Sequence, residues 1–223
     1  MIAVIVPIYN TEKYLRETID SVICQTLSFA EHIRLILLDD ASTDGSFAIC
    51  EQYQKQYPKQ ILVKHYDTNQ GVSALRNEGV RIAGEMGDEL ITFLDSDDKL
   101  ADDAMEKAKM YFKSHEDVSV AAIAVKYFGT RDGEQRLNWR FQEMDVVDIK
   151  KQYTFPHYYV GGVFLRKRVL NELHFDETMN FWEDALAINQ VIVSEGKYGL
   201  IQDTFYFYRK REDESSLVDT AWH

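Results

Sequence analysis

Four short apolar runs, each followed by a stretch of helical spacing, fill the first half of the chain. They are Ile2-Ala3-Val4-Ile5-Val6, Ile33-Arg34-Leu35-Ile36-Leu37-Leu38, Ile61-Leu62-Val63-Lys64-His65-Tyr66 and Leu90-Ile91-Thr92-Phe93-Leu94. The runs are largely continuous rather than alternating and too short for helices, so they read as buried strands. After the first, Tyr14, Leu15, Ile19, Val22 and Ile23 recur at helical spacing, with Asn10 or Thr11 available as a cap. After the second, Ser42-Thr43-Asp44-Gly45-Ser46 is a turn leading into a helix that runs to about Tyr57 and closes at Pro58. Asn69-Gln70-Gly71 is a further turn, and Val72 to Ile82 a third helix; helical pattern returns at Ala101 to Ala108. Alternation of this kind specifies an α/β chain with a mostly parallel, Rossmann-like sheet flanked by helices. Pro7 is read as the point where the first strand stops pairing.

The polar residues cluster just after the strands: Asn10, then Asp39 and Asp40, then Asp95-Ser96-Asp97-Asp98. In open α/β sheets, ligands bind beyond the carboxyl ends of the strands, so these loops are expected to converge on one site. Three carboxylates this close repel one another unless a cation or hydrogen-bond donors compensate them. Oxygen-only ligation suits Mg²⁺ or Mn²⁺ shared with phosphate oxygens. Read alone, an acidic strand-to-helix loop is also ordinary turn chemistry.

The second half is less regular. Val118 to Phe128 reads as a long strand, and Gly161 to Leu165 as a short one with a glycine-permitted bend. Glu183 to Ser194 reads as a helix, Gly199 to Tyr208 as a last strand, and residues 134–154 are polar and weakly patterned. The 223 residues carry a net charge of −12, which argues against nucleic acid and against docking on anionic lipid by bulk charge. The two cysteines, Cys24 and Cys50, are expected to be reduced, partly buried thiols. No apolar run approaches the ~20 residues that span a bilayer, and Met1 to Ile8 lacks the marks of a signal peptide. The expectation is a cytoplasmic protein with at most peripheral contact at the inner face of the plasma membrane.

Taken in order, Val6-Pro7-Ile8-Tyr9-Asn10, Leu38-Asp39-Asp40-Ala41-Ser42-Thr43-Asp44, Asn69-Gln70-Gly71 with Ala74-Leu75-Arg76-Asn77, and Leu94-Asp95-Ser96-Asp97-Asp98 resemble the family 2 glycosyltransferases of the GT-A fold. Trp182-Glu183-Asp184 resembles the later Glu-Asp pair of that family. Tyr206 to Arg211, with Ser215-Ser216, resembles the closing segment of bacterial members that decorate wall and capsular polymers. The resemblance implies one GT-A domain over residues 1–223, with a nucleotide-sugar half (1–115) and a mixed, acceptor-binding half (116–223). It implies an inverting transfer from a UDP-sugar to a hydroxyl of a glycan, lipid-linked or protein acceptor.

Roles follow by resemblance. Pro7 and Tyr9 would line the base pocket, and Asp40 would accept from the uracil N3–H, with Asp39 the less favoured candidate. Asn69 and Arg76 would hold the base or phosphates. Asp95 would contact the ribose, with Ser96 beside it. Asp97 would bind a divalent metal, Mn²⁺ or Mg²⁺, on the diphosphate. Asp184 would be the catalytic base, kept ionised by the positive end of its helix. Lys210 and Arg211 would close over the diphosphate. Related wall-polymer enzymes often carry a histidine beyond that basic pair; here Glu212-Asp213-Glu214 follows, so a carboxylate would substitute or metal affinity would be weaker. His157, beside Tyr158 and Tyr159, is a candidate for the acceptor groove, against the simpler reading of a packed or surface histidine.

Three rival readings are weaker. A phospho-accepting receiver needs its acidic pair after the first strand, where this chain has Pro7-Ile8-Tyr9-Asn10. A nucleotidyltransferase needs a glycine- and lysine-rich phosphate loop near the N-terminus, which this sequence lacks. A binding module without turnover would not need both Asp97 and Asp184.

Overall fold

The computed structural model describes residues 1–130, 144–151, 160–179 and 181–211, with the backbone of Gln135–Arg136. His157, Tyr158, Tyr159, His223 and residues 212–216 lie outside the described residues. The elements of the first half are β1 (Ile2–Ile8), α1 (Glu12–Ile23), α2 (Phe29–His32), β2 (Ile33–Asp39), α3 (Ser46–Gln56), β3 (Ile61–His65), α4 (Val72–Met86), β4 (Leu90–Phe93), β5 (Lys99–Leu100) and α5 (Ala104–Ser114). The second half adds β6 (Val120–Gly129), β7 (Gln135–Arg136), β8 (Val146–Asp148), β9 (Val163–Arg166), α6 (Glu183–Glu195) and β10 (Lys197–Lys210).

The strands form one mixed sheet in the order β3-β2-β1-β4-β9-β6-β10-β5, with β7 beside β6 and β8 beside β10. The strands β3, β2, β1 and β4 are mutually parallel, as the alternation predicts. β9 runs antiparallel to both β4 and β6 and is the seam between the two halves. Successive side chains of a strand point to opposite faces. Val4, Val6, Leu35 and Leu37 pack on one face with Leu15, Ile19 and Val22 of α1, and Ala3, Ile5, Ile36 and Leu38 on the other with Leu75, Val80 and Ala83 of α4. Both faces are covered, which is why these strands read as unbroken apolar runs.

Four local expectations change. β1 continues through Pro7 to Ile8, in register with Leu38 and Asp39. The Ile5 carbonyl accepts from Leu94 on the β4 side, so Pro7, two residues on, faces that same side. β4 has already ended there, and the missing N–H of Pro7 breaks no ladder. The first amides of α1 are not capped by the side chains of Asn10 or Thr11. Ser46 Oγ accepts from Thr11 N (2.9 Å) and Asp44 Oδ2 from Glu12 N (3.0 Å), so the loop after β2 caps the helix after β1. The helix after the acidic loop starts at Ala104, because Lys99 and Leu100 first pair with Phe207 and Tyr206 of β10. Both cysteines are free thiols: Cys50 is buried, but Cys24 is exposed because α1 ends at Ile23. Among the described residues, no helix is long and apolar enough to cross a membrane.

Two glycines of α4 provide a test of the packing. A Cβ on Gly79 would run into Ile5 Cγ2, whereas one on Gly84 would meet nothing within 4 Å. Alanine is favoured over glycine in a helix by about 1 kcal/mol, while overpacking costs about 1–3 kcal/mol. Gly84→Ala is therefore expected to raise unfolding stability in urea and Gly79→Ala to lower it. Equal responses of the two variants would contradict the close α4–β1 contact.

Candidate active site

The loops after β1 and β2 are tied together by short polar side chains. Asn10 Oδ1 accepts from Thr43 N (2.8 Å), and Ser42 Oγ from Asn10 N (3.0 Å). Asn10 and Ala41 both hold positive φ, at 50° and 59°. Such strained residues concentrate at functional sites, where the surroundings over-determine them. Tyr9 stands on this rim with 52% of its surface exposed, although it is a large aromatic.

Asp39 and Asp40 both carry structural bonds. Asp39 is completely enclosed; its Oδ2 lies 2.7 Å from His65 Nδ1 and accepts from Ser42 N at 3.3 Å. Its Oδ1 is buried without a hydrogen-bond partner. Asp40 accepts from the backbone amides of Gln70 (2.6 Å) and Gly71 (2.9 Å), which orders the entry to α4. Asn69 Nδ2 reaches the Asp40 carbonyl at 3.4 Å, and Gly71 adopts φ 89° just before the helix begins.

The loop after β4 holds its three carboxylates apart by giving each a different partner. Asp95 Oδ1 lies 3.3 Å from Arg76 Nη2. Asp97 Oδ2 accepts from Arg211 Nε (2.8 Å) and Nη2 (2.7 Å). Asp98 is buried and accepts from the Tyr206 hydroxyl and the Arg209 amide, both at 2.7 Å. Tyr206 Oη in turn accepts from Asp95 N (3.2 Å), while Arg209 Nε donates to the Asp97 carbonyl (2.6 Å). Burial, then the charges of Asp97 and Asp95, pushes the Asp98 carboxyl well above the usual range. Burial also raises Asp97, against the pull of the Arg211 guanidinium.

Arg76, in the second turn of α4, joins this loop to the second half. Its Nη1 donates to Glu183 Oε1 at 2.7 Å across 107 residues of sequence, and its guanidinium lies 5.6 Å from the centroid of Phe175. Asn77, the next residue, clamps the backbone of Phe175 through both amide atoms at 2.9 Å. Arg76 is only 5% exposed, and its Nε has no partner. Glu183 opens α6, preceded by Trp182 at φ 66°. Beside it, burial pushes the Asp184 carboxyl up to about 6; Arg76 pulls it down, while Glu183 and Asp95 add to the rise. Beyond the helix start expected to keep Asp184 ionised, its surroundings add burial and the charges of Arg76, Glu183 and Asp95.

The structure brings Arg76, Asp95, Asp97, Asp184 and Arg211 into one connected cluster, and places Tyr9, Asp40 and Asn69 on the neighbouring loops. Pro7 is buried in β1, and Ser96 is buried with its carbonyl accepting from Thr18 Oγ1 (3.0 Å). Lys210 and Arg211 turn to opposite sides of the chain. Residues alternate along extended chain, so Lys210 lies over the rings of Tyr127 and Tyr208 while Arg209 and Arg211 both turn to Asp97 and Tyr14. Asp98, Tyr206 and Arg209 were given no role by the sequence. The alternation in Tyr206-Phe207-Tyr208-Arg209 marks a strand, and nothing in it says which carboxylate that strand meets.

The carboxylate of Asp97 has the oxygen-donor chemistry that suits a hard divalent cation sharing its remaining ligands with phosphate oxygens. Among the described residues, no group of three or more His, Cys, Asp or Glu side chains is arranged to hold a metal without such help.

Residues 3–174 match the family model described as glycosyl transferase family 2. The chain belongs to this family. It is 42% identical over its whole length to the minor teichoic acid biosynthesis protein GgaA of Bacillus subtilis, and 38% identical over 98% of its length to GgaB of the same organism. It spans about half of GgaA and a quarter of GgaB, at 50% and 24% of their lengths. Among solved structures, S. aureus TarS in complex with UDP-GlcNAc matches with a TM-score of 0.81 at 25% identity, over 95% of this chain and 59% of that one. A Pyrobaculum calidifontis mannosyltransferase, in complex with GDP-Man and Mn²⁺, matches with a TM-score of 0.72 at 18% identity, covering all of this chain and 61% of its own. The fold is the GT-A fold.

Two outcomes test the electrostatics of this family member's site. Arg76→Met leaves Glu183 and Asp95 without their cation and is expected to lower stability by about 3 kcal/mol, as for other broken buried pairs. Arg76→Lys, which keeps charge but not the fork, is expected to recover part of that loss in chemical denaturation. The second concerns Asp184. Its folded carboxyl, at about 6, lies above the ordinary 3.8, so its contribution to stability is present at low pH and lost as pH rises through 6. Asp184→Asn has no such loss. Its stability relative to the parent is expected to improve by about 1 kcal/mol between pH 5.5 and 7.5. A pH-independent difference would contradict the raised carboxyl.

Proposed function

We infer that this family member transfers a sugar from a UDP-sugar to a hydroxyl group, with inversion at the anomeric carbon. The observation that carries this reading is the Arg76 bridge. It gathers Asp95, on the loop proposed to take the donor, and Glu183 and Asp184, at the helix start proposed to supply the base, around one buried guanidinium. The UDP-GlcNAc held by S. aureus TarS supports a UDP-sugar donor. The teichoic acid proteins of B. subtilis, and the poly(ribitol-phosphate) β-N-acetylglucosaminyltransferase name of S. aureus TarS, support a polyol-phosphate wall polymer as acceptor. Residues 1–115 are then the donor half and 116–223 the acceptor half.

Each residue has a task in this reaction. Tyr9 offers an exposed ring for the base, with Pro7 behind it, and Asp40 and Asn69 face its polar edge; Asp40 keeps a second lone pair on each oxygen after serving Gln70 and Gly71. Asp95 receives the ribose beside Ser96. Asp97 would hold Mn²⁺ or Mg²⁺, which when bound supplies charge neutralisation for the departing diphosphate. Arg211 adds a guanidinium to the same diphosphate. Asp184 takes the proton of the acceptor hydroxyl as its oxygen attacks the anomeric carbon and the bond to the diphosphate breaks. A carboxyl near 6 is mainly ionised at neutral pH and basic enough to accept that proton.

Asp184→Asn is expected to bind UDP as the parent does and to lose transfer by at least ~10², the low end for general-base catalysis. In the parent, kcat should fall below pH 6 as the base protonates. An α-donor should give a β-linked product by NMR. Retention of configuration, or unimpaired transfer by the Asn variant, would overturn this mechanism.

A further inference from the structure

The partner of Asp97 is a cation that belongs to the protein itself. Arg211 places two N–H groups on Asp97 Oδ2, at 2.8 and 2.7 Å, with both side chains only 17% exposed. The guanidinium is also held 5.2 Å from the centroid of the Tyr14 ring on α1. The neighbouring cations are engaged elsewhere. Arg76 serves Glu183 and Asp95, while Arg209 gives its guanidinium to Glu17 and the Asp97 carbonyl. Arg211 is thus the guanidinium on the one carboxylate of this loop assigned to the divalent metal.

A guanidinium and a divalent ion seeking the same carboxylate oxygen compete for its lone pairs and repel each other as like charges. With Oδ2 of Asp97 taken up by the arginine, each cation weakens the other's hold on this carboxylate. A diphosphate removes the conflict, because its oxygens accept from the fork of an arginine while also ligating the metal.

We propose that Arg211 is a stand-in cation on Asp97 that exchanges for the metal: it blocks free divalent ions and moves onto the diphosphate when metal and nucleotide arrive together. This inference rests on the donor-site reading above. It makes metal and nucleotide binding mutually dependent, through a coupling that is reciprocal by thermodynamic necessity. It also gives Arg211 opposite effects on two measurable quantities. Removing its charge should help free metal bind and hinder donor use.

The test measures Mn²⁺ binding by electron paramagnetic resonance, with and without UDP, in the parent, Arg211→Gln and Arg211→Lys, after thermal melts establish folding. Arg211→Gln is expected to bind Mn²⁺ alone about tenfold more tightly than the parent, and the enhancement of Mn²⁺ affinity by UDP to shrink by a similar factor. Arg211→Lys, which keeps the charge and loses the fork, is expected to tighten Mn²⁺ binding by a smaller factor, and it carries the test if the glutamine variant does not fold. If the parent binds Mn²⁺ with UDP but neither variant binds free Mn²⁺ more tightly than the parent, the exchange is overturned and the donor-site reading stands. If the parent binds no Mn²⁺ even with UDP, the metal assignment of Asp97 falls and the exchange falls with it.

Discussion

A single buried guanidinium organises the centre of this protein. Arg76 projects from a helix of the first half, yet its partners are a carboxylate on the loop after β4 and one at the start of α6. A lone buried charge is costly, and a paired one whose partner is removed costs several kcal/mol, so the loop, α4 and α6 cannot be repositioned independently. Asn77 reinforces the join by fixing the backbone of Phe175, whose ring lies under the guanidinium. The positive charge of Arg76 also keeps Asp184 from rising as far as burial alone would take it.

A second junction operates on the far side of the same loop. Asp98 cannot be solvated, and it meets its need for donors with the hydroxyl of Tyr206 and the amide of Arg209, both on β10. Tyr206 packs against Gly161, where a Cβ would sit 2.6 Å from its ring. The small residue before β9 therefore makes room for the aromatic that anchors the acidic loop. Three segments far apart in the chain, the loop after β4, the entry to β9 and the end of β10, are thereby fixed against one another. Fixing a site to strands rather than to its own loop is what holds carboxylates at useful spacing despite their repulsion.

The charge balance of the molecule has a local structure that its net value hides. A chain of net charge −12 collects Arg76, Arg209 and Arg211 around the loop after β4, where three carboxylates crowd together. These cations offset part of the loop's negative charge, shared with Glu183 and Glu17, and so lower the cost of burying the acidic cluster. A bound diphosphate would bring negative charge into the same place and find cations already positioned.

Much of this was legible in the sequence. Strand and helix alternation announced a parallel sheet in the first half, because strands covered on both faces read as unbroken apolar runs; the order β3-β2-β1-β4 came only with the fold. The same pattern placed Asp39, Asp40 and the Asp95 to Asp98 loop at strand ends. What the sequence left open was decided by distance in space. Arg76 and Glu183 are 107 residues apart, and Asp98 and Tyr206 are 108 apart; no local spacing announces such pairs. Whether Lys210 or Arg209 joins Arg211 depended on which face of β10 each occupies, and so on the register of a strand set by its neighbours. Residue types determined which chemistry could be present, since type governs charge and hydrogen bonding. Tertiary structure decided how far burial would move Asp184 and which carboxylate each cation would neutralise, since both depend on surroundings drawn from the whole chain.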